Sequence, residues 1–236
     1  MAPNEPAARE FTVVSIDPSM WAAGVAVLSP VCGVVVDAIA VTFDMAYKDM
    51  PWPTRAMLMA EAIVEQIRDR AGSGTGCGYP LVIATEIPSN WFCATGTAAK
   101  DSESIQKLYM MVGMQLSLLW SSGIPYTYLL AVPPSVWKGQ VPKSITAKRC
   151  AAYLGHQGHT EPIKDNNVTD AIMIGKWIRE HGVDYDPRIP SLRFPDGVAV
   201  IDHRPHTLTA SQLGERVGEL CRLQSQAHTS TRPYIG

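Results

Sequence analysis

The sequence predicts an α/β fold: a mixed five-stranded sheet, three antiparallel strands followed by parallel ones, flanked by helices on both faces. Three observations predict it. Residues 11–41 hold three short β-rich runs separated by turn residues. Beyond them, strand-like runs alternate with helical ones. Two of the strand-like runs end in an acid.

The first run, 11–17 (FTVVSID), is β-branched and ends in Asp17. Runs 23–28 (AGVAVL) and 34–41 (VVVDAIAV) follow, with Gly24 and the Cys32–Gly33 pair as breaks that suit tight hairpins. Residues 54–70 are helical, with apolar residues recurring at Met57, Ala60, Ile63 and Ile67 and Thr54 as candidate N-cap. The glycine-rich run 71–78 ends that helix and lacks the G-K-[ST] of a phosphate loop. Residues 80–86 (PLVIATE) form a buried strand ending in Glu86. After a polar loop, 103–121 is a long, mostly apolar helix, and 126–132 (YTYLLAV) a strand. An irregular basic loop, VPPSVWKGQVPK, leads to a helix over 144–154 and a last core helix over 168–180 that carries Asp170. The order is β-β-β-α-β-α-β-α-α. Residues 1–10 read as a flexible terminus and 11–182 as the domain. Residues 183–236, rich in Pro, His and Arg, read as an appendage with one short run (197–201) and a possible helix over 210–223.

Composition bounds the function. With 46% apolar and 18% charged residues over 236 positions, a full core is available. No run of 18 apolar residues occurs, so no membrane span is expected, and the start lacks the apolar region of a signal peptide. Five scattered cysteines without a C-x-x-C suggest a reducing compartment, the cytoplasm before an organellar matrix or nucleus. Net charge is −2, yet no acid lies between Glu103 and Glu161, where Lys107, Lys138, Lys143, Lys148 and Arg149 fall. Such a stretch beside acids suits an anion-facing surface, or simply a solvated face.

Asp17, Glu86 and Asp170 fall at strand ends and near a helix start, places that converge at one edge of a mixed sheet. Clustered carboxylates repel one another unless a cation neutralises them. Hard oxygen ligands select magnesium or manganese, and two such ions can activate water against a phosphodiester. His156 and His159 with Cys150 match no common zinc spacing, and no histidine completes a triad with Ser19 or Ser89.

Four segments in order resemble RuvC-type Holliday-junction resolvases, of the ribonuclease-H-like superfamily. VVSIDPSMWAAGVAVL resembles their opening strand, Asp and hairpin, and LVIATEIP their second acidic strand. AKDSESIQKLYMMVGMQ resembles their loop and long helix, and DNNVTDAIMIGKW their final acidic helix; together these span roughly residues 11–180. WKGQVPK is reminiscent of phage and organellar members. The resemblance implies a ribonuclease-H-like fold, a magnesium-dependent endonuclease with two ions (manganese able to substitute), branched DNA as substrate and a homodimer. Asp17, Glu86 and Asp170 would be ligands.

The sequence departs at the fourth ligand. Asn167 stands where many members carry His or Asp; its amide oxygen can ligate magnesium but can neither act as a base nor supply charge. Asp165 is the other candidate, unless it or Asn166 merely caps the helix. Lys107, Lys138, Lys143, Lys148 and Arg149 would follow DNA phosphates. Trp91 and Phe92 would stack on bases at a junction, or fold back on the core. Two other readings use the same fold: a sugar kinase or actin-like ATPase, which needs a second domain, and a branched-DNA-binding module without catalysis.

Overall fold

Six strands form one sheet in the order β3-β2-β1-β4-β5-β6. The computed structural model describes residues 11–30, 33–44, 47–74, 80–88, 102–139, 141–181 and 198–203. The strands are β1 (Thr12–Asp17), β2 (Ala22–Leu28), β3 (Val35–Thr42), β4 (Leu81–Glu86), β5 (Tyr128–Val132) and β6 (Ala199–His203). β1–β2–β3 is an antiparallel meander, while β4 runs parallel to β1 and β5 parallel to β4. This is the expected ribonuclease-H-like arrangement with one correction: the sheet has six strands rather than five. The sixth comes from the segment after residue 183 and pairs antiparallel with β5. Tyr126 fastens it by donating its hydroxyl to Asp202 at 2.7 Å. Run 197–201 was too short and too isolated for its pairing to be read. The possible helix over 210–223 lies outside the described residues.

The helices are α1 (Trp52–Gly74), α2 (Ser102–Ser121), α3 (Pro134–Trp137), α4 (Lys143–His156) and α5 (Asn166–His181). Successive strand residues point to opposite faces, so each strand feeds two cores. Val14, Ile16, Val25, Ile83 and Leu129 pack with α1 and α2. Val13, Ala26, Val82, Ala84 and Leu130 pack with Cys150, Leu154, Ala171, Ile174 and Ile178 of α4 and α5. α1 starts at Trp52, so Thr54 lies inside it, and Met57 is exposed; its core stripe is Ala56, Met59, Ala60, Ile63, Val64 and Ile67. The basic loop after β5 contains α3, a single turn. It opens on Pro134, whose missing N–H costs nothing there, and Gly139 follows at φ +57°, a conformation that ends helices.

α5 lies very close to the sheet. Gly24 of β2 sits directly under its first turn, where any side chain would meet the Asn167 backbone carbonyl. Gly175 gives the same clearance one face along, against Leu28 and Ser15. Ser15 donates its hydroxyl to the Ala171 carbonyl at 2.7 Å and so fixes the height of the helix over β1.

A candidate metal centre at the ends of β1 and β4

Strand parity decides where the acids point. Asp17 continues the face that holds Val13 and Ser15, and Glu86 continues the face of Val82 and Ala84. β1 and β4 are parallel neighbours in register, with Ile16 opposite Thr85, so both strands end at the same sheet edge. Both carboxylates therefore face α5, whose second turn brings Asp170. Asp17 is 8% exposed and Asp170 4%, unusual burial for two acids.

Burial dominates their environment, with repulsion between the acids added to it. Burial first, then the charges of Glu86 and Asp170, hold the Asp17 carboxyl well above the usual carboxylate range, against the pull of Lys138 and Lys143. Burial also raises Glu86, with Lys138 and a hydrogen bond from Trp137 working the other way and Asp170 adding to the rise.

α3 supplies the partners. β5 ends level with Glu86, which pairs with Val132, so the chain leaving β5 emerges beside the acid. One turn later Trp137 donates Nε1–H to Glu86 Oε2 at 2.8 Å. Lys138 places its ammonium 2.9 Å from Asp170 Oδ2. Burial alone would lower the Lys138 pKa, but the bond to Asp170 and the charges of Asp170, Glu86 and Asp17 outweigh it and raise it.

The other predicted residues divide. Lys143, at the start of α4, is near enough to act on Asp17 and Glu86. Lys148 and Arg149 are exposed further along α4. Lys107 lies on α2, across the sheet from α4 and α5, 2.5 Å from Glu103 and over the Trp52 ring. Asp165 caps α5: its Oδ1 accepts the backbone N–H of Asn167 at 2.8 Å and of Val168 at 3.0 Å. Asn167 donates its side-chain amide to the Ala22 carbonyl, tying α5 to β2. Trp91 and Phe92 lie outside the described residues. Trp137 was missed as a site residue, although a lone tryptophan beside a lysine just after a buried strand was a readable signal. Gly24 was seen only as a break in the strand pattern. Cys150, pushed up to about 11 by burial and then by Asp170, has no nucleophile's thiol.

No protein-family model and no curated protein matches the sequence. Among solved structures the chain is similar to Thermus thermophilus RuvC in complex with a Holliday junction substrate, at TM-score 0.48 and 18% identity, over 71% of this chain and 92% of that one. A second Thermus thermophilus RuvC structure aligns at TM-score 0.44 and 17% identity, over 72% and 96%. The yeast mitochondrial Holliday junction resolvase Ydc2 aligns at TM-score 0.45 and 15% identity, over 75% and 81%. These likenesses concern the fold.

Whether the acids suit a divalent cation is a question of donor chemistry. Among the described residues, no three His, Cys, Asp or Glu side chains are already grouped as ligands of one ion. In this arrangement Glu86 accepts from Trp137 and Asp170 from Lys138. Three carboxylates, two with raised pKa values from burial and each other, fit a hard cation by charge and ligand type. An ammonium bonded to Asp170 is the countercharge that such an ion would replace.

The raised Asp17 pKa has a signed consequence for stability. A carboxyl whose folded pKa exceeds its unfolded value stabilises the fold most below the unfolded value, about 4, and loses that contribution as pH rises through the folded value. Without divalent metal, an Asp17→Asn variant should therefore melt above the native protein at neutral pH, by a margin that shrinks as pH falls toward about 4. Thermal melts of both proteins across that range measure it, and a margin that grows on acidification would contradict the raised pKa.

Proposed function

We propose that this protein is a magnesium-dependent endonuclease that cuts four-way DNA junctions by paired nicks. One observation carries the nuclease part: Asp17 and Glu86 end adjacent parallel strands on the face that α5 covers, and Asp170 of α5 is near enough for its charge to act on both. Selectivity for junctions is supported by the resemblance of four sequence segments to RuvC-type resolvases, each falling on the expected element.

Asp17, Glu86 and Asp170 would hold the metal, with the outer oxygen of Asp165 within the same helix start. Divalent cations there would neutralise the scissile phosphate and lower the pKa of a bound water. The chain's own residues do the rest. Trp137 fixes the orientation of Glu86 through its indole N–H. Lys138, released from Asp170, can donate to a phosphate oxygen, and Lys143 adds charge at the same edge. A two-fold dimer would present two such sites to the two symmetric strands of a junction.

Lys138→Ala should separate these roles. Removing a charge-assisted hydrogen bond to DNA should raise KM about tenfold, while the magnesium needed for half-maximal rate falls because Asp170 is freed. A rise in both would show that Lys138 assists the metal rather than competing with it.

The function itself is tested with a labelled synthetic four-way junction, with and without magnesium, beside linear duplex. Symmetric nicks on the junction alone are expected. Equal cutting of the duplex would remove the junction selectivity, and tight binding without any cutting would leave a binding module.

A further inference from the structure

Beside the carboxylates, α4 and α5 enclose a groove of about 580 Å³. Its walls follow helical spacing. On α5, Met173, Trp177 and His181 continue the line that begins at Asp170; on α4, Thr146, Arg149, Tyr153 and His156 face them. The line from Asp170 to His181 runs about 16 Å along the helix. Trp137 and Lys138 close the near end, and both bond to the acids, so the groove opens directly from the candidate metal centre.

Its chemistry is aromatic and cationic. Trp177 and His181 are stacked, with ring centroids 5.2 Å apart and planes 14° apart. Lys176 lies 5.5 Å from the Tyr153 ring centre, and Lys138 4.8 Å from that of Trp137. The acid in the lining, Glu180, is paired with Lys176 at 2.5 Å, so Arg149 gives the groove a positive balance. Rings for base faces, with cations for the backbone, are the components of single-strand nucleic-acid binding.

We propose that this groove binds unpaired nucleotides of the DNA substrate, leading one strand away from the cutting site with its bases against Trp177 and Tyr153. The inference rests on reading the acids as a DNA-cutting centre and adds what lies next to it. Arg149 and His156 are both exposed, so replacing them leaves the core alone.

The test is a titration of a labelled single-stranded thymidine dodecamer into the full-length protein in chelator, read by anisotropy and by tryptophan emission. Binding with quenched emission is expected. In the Arg149→Ala/His156→Ala double variant the Kd should rise about tenfold, and Trp177→Leu should show a smaller quench. A paired duplex of the same length should compete poorly. No binding by the native protein, an unchanged Kd in the double variant, or equal competition by duplex would each overturn the proposal. The readout needs no metal and no cleavage, so it is scored separately from nuclease activity, and junction cutting without dodecamer binding would sink the groove alone.

Discussion

An Asp17→Asn variant is expected to lose at least about a thousandfold in junction cleavage while folding normally. The substitution keeps the shape of the side chain and removes the buried acid that ends β1 beside Glu86 at the end of β4. Metal stabilisation of charge in phosphodiester cleavage amounts to several kcal/mol, and each 1.36 kcal/mol is tenfold in rate. The same change removes a charge that burial first, and then Glu86 and Asp170, disfavour, so the inactive protein should be the more stable one without metal. Loss of activity with gain of stability distinguishes a ligand from a structural residue. The comparison needs only single-turnover cleavage and a thermal melt on each protein. Cleavage by the variant at the native rate would remove Asp17 from the chemistry.

The second large effect belongs to a residue without a functional group. Gly24→Val should destabilise the protein by about 3 kcal/mol or more, lowering Tm by roughly 10 °C for a domain of this size. A Cβ at this position meets the carbonyl of Asn167 and lies 2.5 Å from the Val168 nitrogen, so backbone rather than a flexible side chain must move. Lifting the start of α5 carries Asp170 away from Asp17 and Glu86, and cleavage should fall with stability. Gly113 is the control. It sits in α2 with open space around a would-be Cβ, so Gly113→Ala should stabilise by about 1 kcal/mol through helix propensity. Denaturant titrations of the two variants measure both. A Gly24→Val protein as stable as the native one would mean that α5 is not seated as described.

Much of this was legible in the sequence because period and parity are local. β-branched runs broken by glycine gave the meander, and the two acids at strand ends gave the sheet edge. Even the common direction of Asp17 and Glu86 follows from counting by twos along FTVVSID and LVIATE. What was not legible depends on distance in space. The pairing of β6 with β5 joins residues some seventy positions apart, with Tyr126 and Asp202 separated by 76. Asp165 and Asn167 read equally as ligands or as helix-start residues. Asp165's bonds to the first turn of α5 are local, whereas Asn167's bond to Ala22 depends on how closely α5 approaches the sheet. That closeness comes from Gly24 and Gly175, whose missing side chains carry no pattern. Trp137 and Lys138 reach the acids only because β5 ends level with β4, a matter of register.

The most direct test of the central claim is manganese binding followed by the loss of the free-ion electron paramagnetic resonance signal, in native protein and in Asp17→Asn. Tight binding by the native protein that is weakened at least tenfold in the variant, with a metal-dependent rise in Tm seen only for the native protein, is the predicted result. Equal manganese binding by both proteins would show that Asp17, Glu86 and Asp170 do not form the metal centre.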